Sequence, residues 1–188
     1  MHCIQTLEPA EWGKYLEHLV RLDPEDRRLR FGYAVDDVTI RAYVRGLDPR
    51  AHRLIVHLDD NGRVVGAVHL APSGGNVEFG VSVDSAWRGQ GLGRQLFERA
   101  VLWARNRGLR KAHVYCLTDN RAMRHIARTA GMEIELEAGE SAGALALVPA
   151  TPFSLLREMT AERWALYERS RRQPPLPWQA LFHAYPAG

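Results

Sequence analysis

Apolar positions along the chain change period several times, and each change marks an expected element. Trp12, Tyr15, Leu16 and Leu19 recur at helical spacing behind Pro9, with Glu8 and Glu11 at the positive end, which predicts a helix over 9–20. Asp23-Pro24 opens a second helical stretch carrying Arg27, Arg28 and Arg30. Asp36 or Asp37 caps a third, which runs through Tyr43 and Val44 and stops at Gly46. The pattern then turns strand-like. Residues 54–58 and 63–70 read as strands joined by Asp59-Asp60-Asn61-Gly62, and Ser73-Gly74-Gly75-Asn76 turns the chain into a third strand, 77–83. Helical spacing returns over 92–107, where Leu92, Leu96, Phe97, Ala100, Val101 and Ala104 share a face and Gly108 is the stop. A strand at 112–117 follows. A helix from Asp119 or Asn120 then aligns Met123, Ile126, Ala127 and Ala130, before strands at 132–137 and 144–148 and a last helix over 152–171.

Helices, an antiparallel meander, then strand-helix-strand-helix-strand make an α+β (mixed α/β) fold the expected class. The length of 188 residues suits one domain, and 46% hydrophobic with 25% charged residues excludes disorder or a coiled coil for the whole chain. No apolar run is long enough for a membrane span, so no membrane partner is expected. The opening Met-His-Cys-Ile-Gln-Thr lacks the basic-then-apolar pattern of a signal peptide. Cys3 and Cys116 are too few for a disulfide framework, and a cytoplasmic location is expected. Twenty-three of the 25 basic residues are Arg; only Lys14 and Lys111 are Lys. Such an excess suits phosphate or nucleic acid, or reflects genome composition. Acidic residues are interspersed with the arginines throughout, which favours the second reading, and no nucleic-acid partner is expected.

The strand 77–83 runs into Asp84-Ser85-Ala86-Trp87-Arg88-Gly89-Gln90-Gly91-Leu92-Gly93-Arg94, a turn with three alternating glycines that opens a helix. Glycines let a ligand approach the backbone, and the free N–H groups of a helix start favour an anion. Arg88 and Arg94 add donors suited to phosphate. The Gly-Lys-Ser/Thr of a P-loop is absent. A dinucleotide fingerprint fails at Arg94 when counted from Gly89 and at Leu96 when counted from Gly91.

Arg88-Gly89-Gln90-Gly91-Leu92-Gly93 resembles the acyl-CoA turn of the GCN5-related N-acetyltransferase (GNAT) superfamily, in the expected place between a strand and a long helix. The likeness extends over roughly 7–150. Glu78-Phe79-Gly80-Val81-Ser82-Val83 and Asn120-Arg121-Ala122-Met123 resemble the bacterial protein-acetyltransferase branch. The resemblance implies a GNAT domain over 1–150 with a central, mostly antiparallel sheet of six to seven strands splayed at the middle. A C-terminal helix and proline-rich tail over 151–188 would pack on the domain or on a partner subunit, as in a homodimer. It implies acetyl-CoA as co-substrate and an amine acceptor, either a protein lysine or a small molecule. It also implies that the backbone of Val81 and Val83 pairs with the pantetheine arm, and that the Val83 N–H polarises the thioester carbonyl. The backbone of Arg88, Gly89, Gln90, Gly91, Leu92, Gly93 and Arg94 would hold the pyrophosphate, with Asn120 and Met123 beside the arm.

Alternation along 77–83 puts Glu78, Gly80 and Ser82 on one face, and a carboxylate with two small residues there suggests a cleft. Glu78 is the candidate general base for the amine; the alternatives are an Arg partner or an exposed edge. The position where many superfamily members carry a Tyr general acid is Ala127, which leaves Cys116, Tyr115, His125 or no donor. His69 faces the cleft or serves structure. His113 and Cys116 point to opposite faces, and with no HExxH or CxxC no metal is expected. Asn120 binds the arm or caps its helix. A non-catalytic acyl-CoA sensor is the alternative to an enzyme. Protein lysine, amino acid, polyamine and antibiotic all stand open as acceptors, with 23–46 and 71–76 expected to border their site.

Overall fold

The computed structural model describes residues 2–137 and 139–172. Its elements in chain order are β1 (Ile4–Thr6), a short 3-10 turn (Pro9–Glu11), α1 (Trp12–Arg21), α2 (Pro24–Phe31), α3 (Asp37–Arg45), β2 (Arg53–Leu58), β3 (Val64–Ser73), β4 (Asn76–Val83), α4 (Leu92–Asn106), β5 (Lys111–Leu117), α5 (Arg121–Thr129), β6 (Glu133–Glu137), β7 (Glu140–Ala146) and α6 (Pro152–Arg172). The seven strands form one sheet in the order β1-β2-β3-β4-β5-β7-β6. Every neighbouring pair is antiparallel except β4 and β5. This is the α+β class the alternating pattern predicts.

The local causes are legible in the helix ends. Asp23 and Asp36 each accept the N–H three residues on, at 2.8 Å from Asp26 and Thr39, and Pro24 supplies a pre-set first turn to α2. Gly32 ends α2 in the left-handed region at φ 82°. The turn after β3 has both central residues, Gly74 and Gly75, at positive φ (56° and 83°), the backbone of a tight two-residue hairpin.

Two apolar layers cover the sheet. One packs α4 and α5 on Ile55, Val68, Leu70, Phe79 and Val114; the other packs α1 and α3 on Leu54, Val56, Val64 and Ala67. Helix α4 approaches β3 closely because Gly66 has no side chain: a Cβ there would stand 2.8 Å from Leu92. That contact fixes the start of α4 beside the end of β4.

Strand β1 and the true bounds of β7 depart from the expected pattern. The stretch Ile4–Thr6 is too short to show a period, and its three residues are strand only because β2 pairs with them. Strand β7 begins at Glu140 because β5 pairs with it from Leu117↔Glu140 onward, which the small, mixed Ser-Ala-Gly run does not reveal. Strand β3 continues past Leu70 to Ser73, pairing Ala71 with Glu78 and Pro72 with Val77.

Helix α6 packs on α4 and β1 of its own domain. Glu158, 6% exposed, is held by Arg107 at 2.7 Å and Asn106 at 2.7 Å, with Arg99 at 4.0 Å. The proline-rich tail of the expected C-terminal segment lies outside the described residues. Removing the carboxylate takes away the bonds from Arg107 and Asn106 and leaves the buried Arg99 with Glu162 alone, at 3.3 Å. Glu158→Ala should therefore cost about 3 kcal/mol in urea unfolding with an unchanged m-value.

Candidate active site

Strand β4 meets its parallel neighbour β5 at three positions only, Asn76↔Lys111, Val77↔Ala112 and Glu78↔His113. Beyond Glu78 the two strands part. Antiparallel pairing alternates, and two observations fix its phase on β4. The tight turn makes Ser73 and Asn76 a hydrogen-bonded pair, and the Asp84 N–H donates to the Val65 carbonyl at 2.9 Å. Even-numbered residues of β4 therefore bond to β3, and the N–H and C=O groups of Val81 and Val83 point into the gap where β5 has left.

A cleft of about 520 Å³ occupies that gap. Its walls are α2 (Asp26, Leu29, Arg30), the end of β4 (Val81, Ser82, Val83), Trp87 and the glycine turn (Arg88, Gly89, Gly91), the first turn of α4 (Leu92, Gly93, Arg94), and α5 with its cap (Asn120, Ala122, Met123, His125, Ile126, Thr129). Gly89 and Gly91 sit at φ 73° and 76°, a backbone that side chains disfavour. The first helical bond of α4 runs from the Gln95 N–H to the Gly91 carbonyl. The N–H groups of Leu92, Gly93 and Arg94 thus lack intrahelical acceptors and form the positive end of a fifteen-residue helix. Gly93 packs at the crossing with α5, where a Cβ would lie 3.0 Å from Ile126. An unpaired strand edge leading to an anion cradle is a donor set that fits an amide-bearing arm ending in a pyrophosphate.

Several sequence-derived residues are held differently from what the turn alone implies. The Arg88 guanidinium pairs with Asp26 and donates to the Val83 carbonyl at 3.3 Å, and its own N–H goes to Ser85. It latches the turn to α2 and β4. Gln90 donates its amide to the Ala86 carbonyl at 3.2 Å and does not line the cleft. Arg94 lines the cleft and lies 3.3 Å from Glu98. The Asn120 oxygen caps α5 through the Met123 N–H at 3.0 Å, and its amide donates to the Leu29 carbonyl at 3.3 Å, tying α5 to α2. Met123 is buried on the cleft wall. Glu78 is exposed, at the last paired position before the strands part, and is not among the lining residues. Of the candidate acids, His125 lines the cleft and Tyr115 is exposed, while burial raises the pKa of the half-buried Cys116 thiol.

Side chains from α1 and α2 occupy most of the face of β4 with Gly80 and Ser82, where the alternation suggests a cleft, although Ser82 and Arg30 still line the cleft. The Arg30 guanidinium lies on Gly80, where a Cβ would be 2.3 Å from its Nη2. The Ser82 hydroxyl meets Nε2 of the fully buried His18 at 2.9 Å, and His18 Nδ1 lies 2.9 Å from Asp84, which Arg21 also pairs at 3.1 Å. Burial would raise the pKa of Asp84, but His18 and then Arg21 outweigh it and hold the group below its ordinary value of 3.8. His69 is on this polar side too, 2.8 Å from the Tyr43 hydroxyl. These helix-borne partners come from 26 to 66 residues away in sequence, so alternation names the face but not its occupants.

Two outcomes follow from this geometry. Gly91→Ala, forced to positive φ, should lose about 1 kcal/mol of stability and weaken binding of a pyrophosphate-bearing ligand, read by thermal unfolding with and without it. Asp84 has a folded pKa below its unfolded one, so its contribution to stability is present in full above about pH 4 and fades as pH falls through the folded value. Asp84→Asn should lower stability at neutral pH and shrink its loss on acidification, measured by urea unfolding across pH 2–6.

Among the described residues no cluster of three His, Cys, Asp or Glu side chains is arranged to hold a metal ion, and no helix is long and apolar enough to cross a membrane. The fold is shared with many solved structures. The GNAT domain of S. lividans PAT superposes with a TM-score of 0.65 at 17% identity, covering 77% of this chain and 89% of that one. The yncA protein of Salmonella typhimurium, solved with its cofactor acetyl-CoA, gives 0.57 at 19% identity over 80% and 96% of the two chains. The ribosomal-protein-alanine N-acetyltransferase of Brucella melitensis gives 0.57 at 18% identity over 77% and 99%. At these identities the likeness is one of fold. The model of the acetyltransferase (GNAT) family matches residues 11–132, from the start of α1 through the glycine turn to the end of α5 and the residues just before β6, and the chain belongs to that family.

Proposed function

We propose that this acetyltransferase acetylates a primary amine by direct attack within one ternary complex, with acetyl-CoA bound in the cleft between β4, α4 and α5. The observation that carries the reading is the edge of β4 that β5 leaves open, the Val81 N–H and C=O and the Val83 N–H, which leads from the glycine cradle toward Glu78. Acetyl-CoA, when bound, supplies an activated thioester carbonyl.

The backbone N–H groups of Gly89, Gly91, Leu92, Gly93 and Arg94 would hold the pyrophosphate, and Arg94 would add a charged donor. Arg88 acts indirectly by fixing the turn against Asp26. An arm anchored at the cradle meets Val83 before Val81, so the Val83 N–H would take a pantetheine carbonyl and the Val81 N–H, nearer Glu78, would donate to the thioester oxygen as negative charge gathers there, in place of the Val83 N–H expected from the resemblance. Asn120 and Met123 would shape the wall along the arm. Glu78 would receive the proton that the acceptor ammonium must lose before it can attack. With Ala127 at the position of the family's Tyr, a dedicated acid for the thiolate is not required of this site; His125 is the titratable side chain of α5 on the cleft wall.

A second reading, an acyl-CoA sensor without turnover, draws on the exposure of Glu78 and its position outside the lined cleft. One experiment separates the two. Acetyl-CoA should raise the melting temperature, and a screen of amine classes should release free CoA thiol with at least one acceptor. Glu78→Gln should lower kcat about 100-fold while the acetyl-CoA shift stays nearly intact. Binding without thiol release for any amine class would favour the sensor, and unchanged turnover in the variant would remove Glu78 from the mechanism.

A further inference from the structure

Helix α2 carries three arginines, and two of them are neutralised. Arg27 meets Asp37 at 2.8 Å, and Arg28 holds Glu25 at 2.7 Å and Asp119 at 2.5 Å. Across the cleft Arg88 is matched by Asp26. Arg30 has no carboxylate within ion-pair distance among the described residues. Its Nη2 donates to the hydroxyls of Tyr15 (3.3 Å) and Tyr43 (3.0 Å), and its Cζ lies 5.1 Å and 5.8 Å from the ring centres of Phe31 and Tyr43. Nε is shielded from solvent and has no acceptor. The next group outward, His69 behind Tyr43, is kept neutral: burial, with Arg30 and His52 adding to it, lowers its pKa to about 3. Every partner of this guanidinium is therefore uncharged.

A desolvated cation without a counter-charge is unfavourable, and the fold goes to some length to keep this one in place. Two phenols orient it, the Phe31 and Tyr43 rings lie to one side of it, and Gly80 leaves the room in which it lies against β4. It also lines the cleft beside Val81. Alternation puts Glu78 on the same face as Gly80, two residues away, about 7 Å along the strand. A fixed cation and a carboxylate at that spacing are complementary to a zwitterion.

We propose that Arg30 is the carboxylate-binding residue of the acceptor site, and that the acceptor is a small amino acid whose carboxylate lies on Arg30 while its amine faces Glu78. The proposal rests on the acetyl-transfer reading above and supplies the chemical class of its acceptor. Nη2 serves both phenols and Nε is shut off from solvent, so Nη1 is the donor left for a carboxylate oxygen, in a single charge-assisted bond. The same charge disfavours the acceptors left open by sequence. A polyamine brings only further positive charge, and a lysine side chain within a protein presents an amine with no carboxylate of its own beside it.

The test pairs amino acids with their decarboxylated amines: phenylalanine with phenethylamine, lysine with cadaverine, tyrosine with tyramine, and the remaining amino acids likewise. Binding to the full chain saturated with CoA is measured by calorimetry, and thiol release from acetyl-CoA is measured separately. At least one amino acid should bind more tightly than its amine, and turn over with higher kcat/KM, by ten- to a hundredfold, the range of hydrogen bonds to a charged group. Arg30→Met should bring that amino acid down to the level of its amine, and Arg30→Lys should fall between. Circular dichroism checks the variants' fold, while the wild-type pairs alone can refute the proposal. No pair showing a preference, or a preference that survives Arg30→Met, overturns it. Amino-acid binding without thiol release supports the subsite and overturns the transfer reading; turnover of amines without carboxylate preference does the reverse.

Discussion

The parting of β4 from β5 after Glu78 is the constraint on which the site depends. A strand in the middle of a sheet normally has both edges paired, because an unmet backbone N–H or C=O away from water is costly. Here one edge of β4 is paired throughout with β3, and the other is paired for three residues and then open. The gap is held open from both sides. On one, α4 is seated on β3 through Gly66, which brings its N-terminus to the end of β4; on the other, Asn120 ties the start of α5 to α2. An open strand edge, a helix start without acceptors and a cleft between them are thus one feature, produced by one divergence in the sheet.

The helix start in that feature was legible in the residues themselves, while the splayed sheet was implied only by the family resemblance. The glycines at 89 and 91 advertise a backbone at positive φ, and the run from Leu92 to Ala104 advertises a helix packed on a sheet. Together they locate the anion cradle without reference to any tertiary contact. The order of elements gave the class, and the match of residues 11–132 to the GNAT family agrees with the resemblance carried by Arg88 to Gly93. Strand β1 and the start of β7 were illegible because pairing partners, not their own composition, make them strands.

The larger gap concerns the layer between α1, α2 and β4. Alternation predicted Glu78, Gly80 and Ser82 on a common face and suggested empty space beside them. The space holds polar side chains supplied from α1, α2 and α3: His18 on Ser82, Arg30 on Gly80, and Tyr15 and Tyr43 on Arg30. Small residues on a strand announce that something comes close; they do not say whether it is a ligand or another part of the chain. Arg88 carries a similar lesson. A guanidinium in a glycine turn reads as a phosphate donor, yet Asp26 from a helix more than sixty residues earlier captures it and turns it into a latch.

The arginine excess resolves along the same line. Charge in a protein acts through what remains after local pairing, so the count of arginines says less than the list of those left over. Arg21, Arg27, Arg28, Arg63, Arg88, Arg94, Arg99 and Arg107 each stand within 4 Å of a carboxylate, most of them on the surface where such pairs contribute little. Helix geometry, not side-chain charge, makes the start of α4 the positive end that the proposed pyrophosphate site uses. Against that background Arg30 is held by phenols and aromatic rings, with no carboxylate of the described residues beside it, where α2 meets the part of β4 that β5 leaves open, and the proposed acceptor would answer its charge.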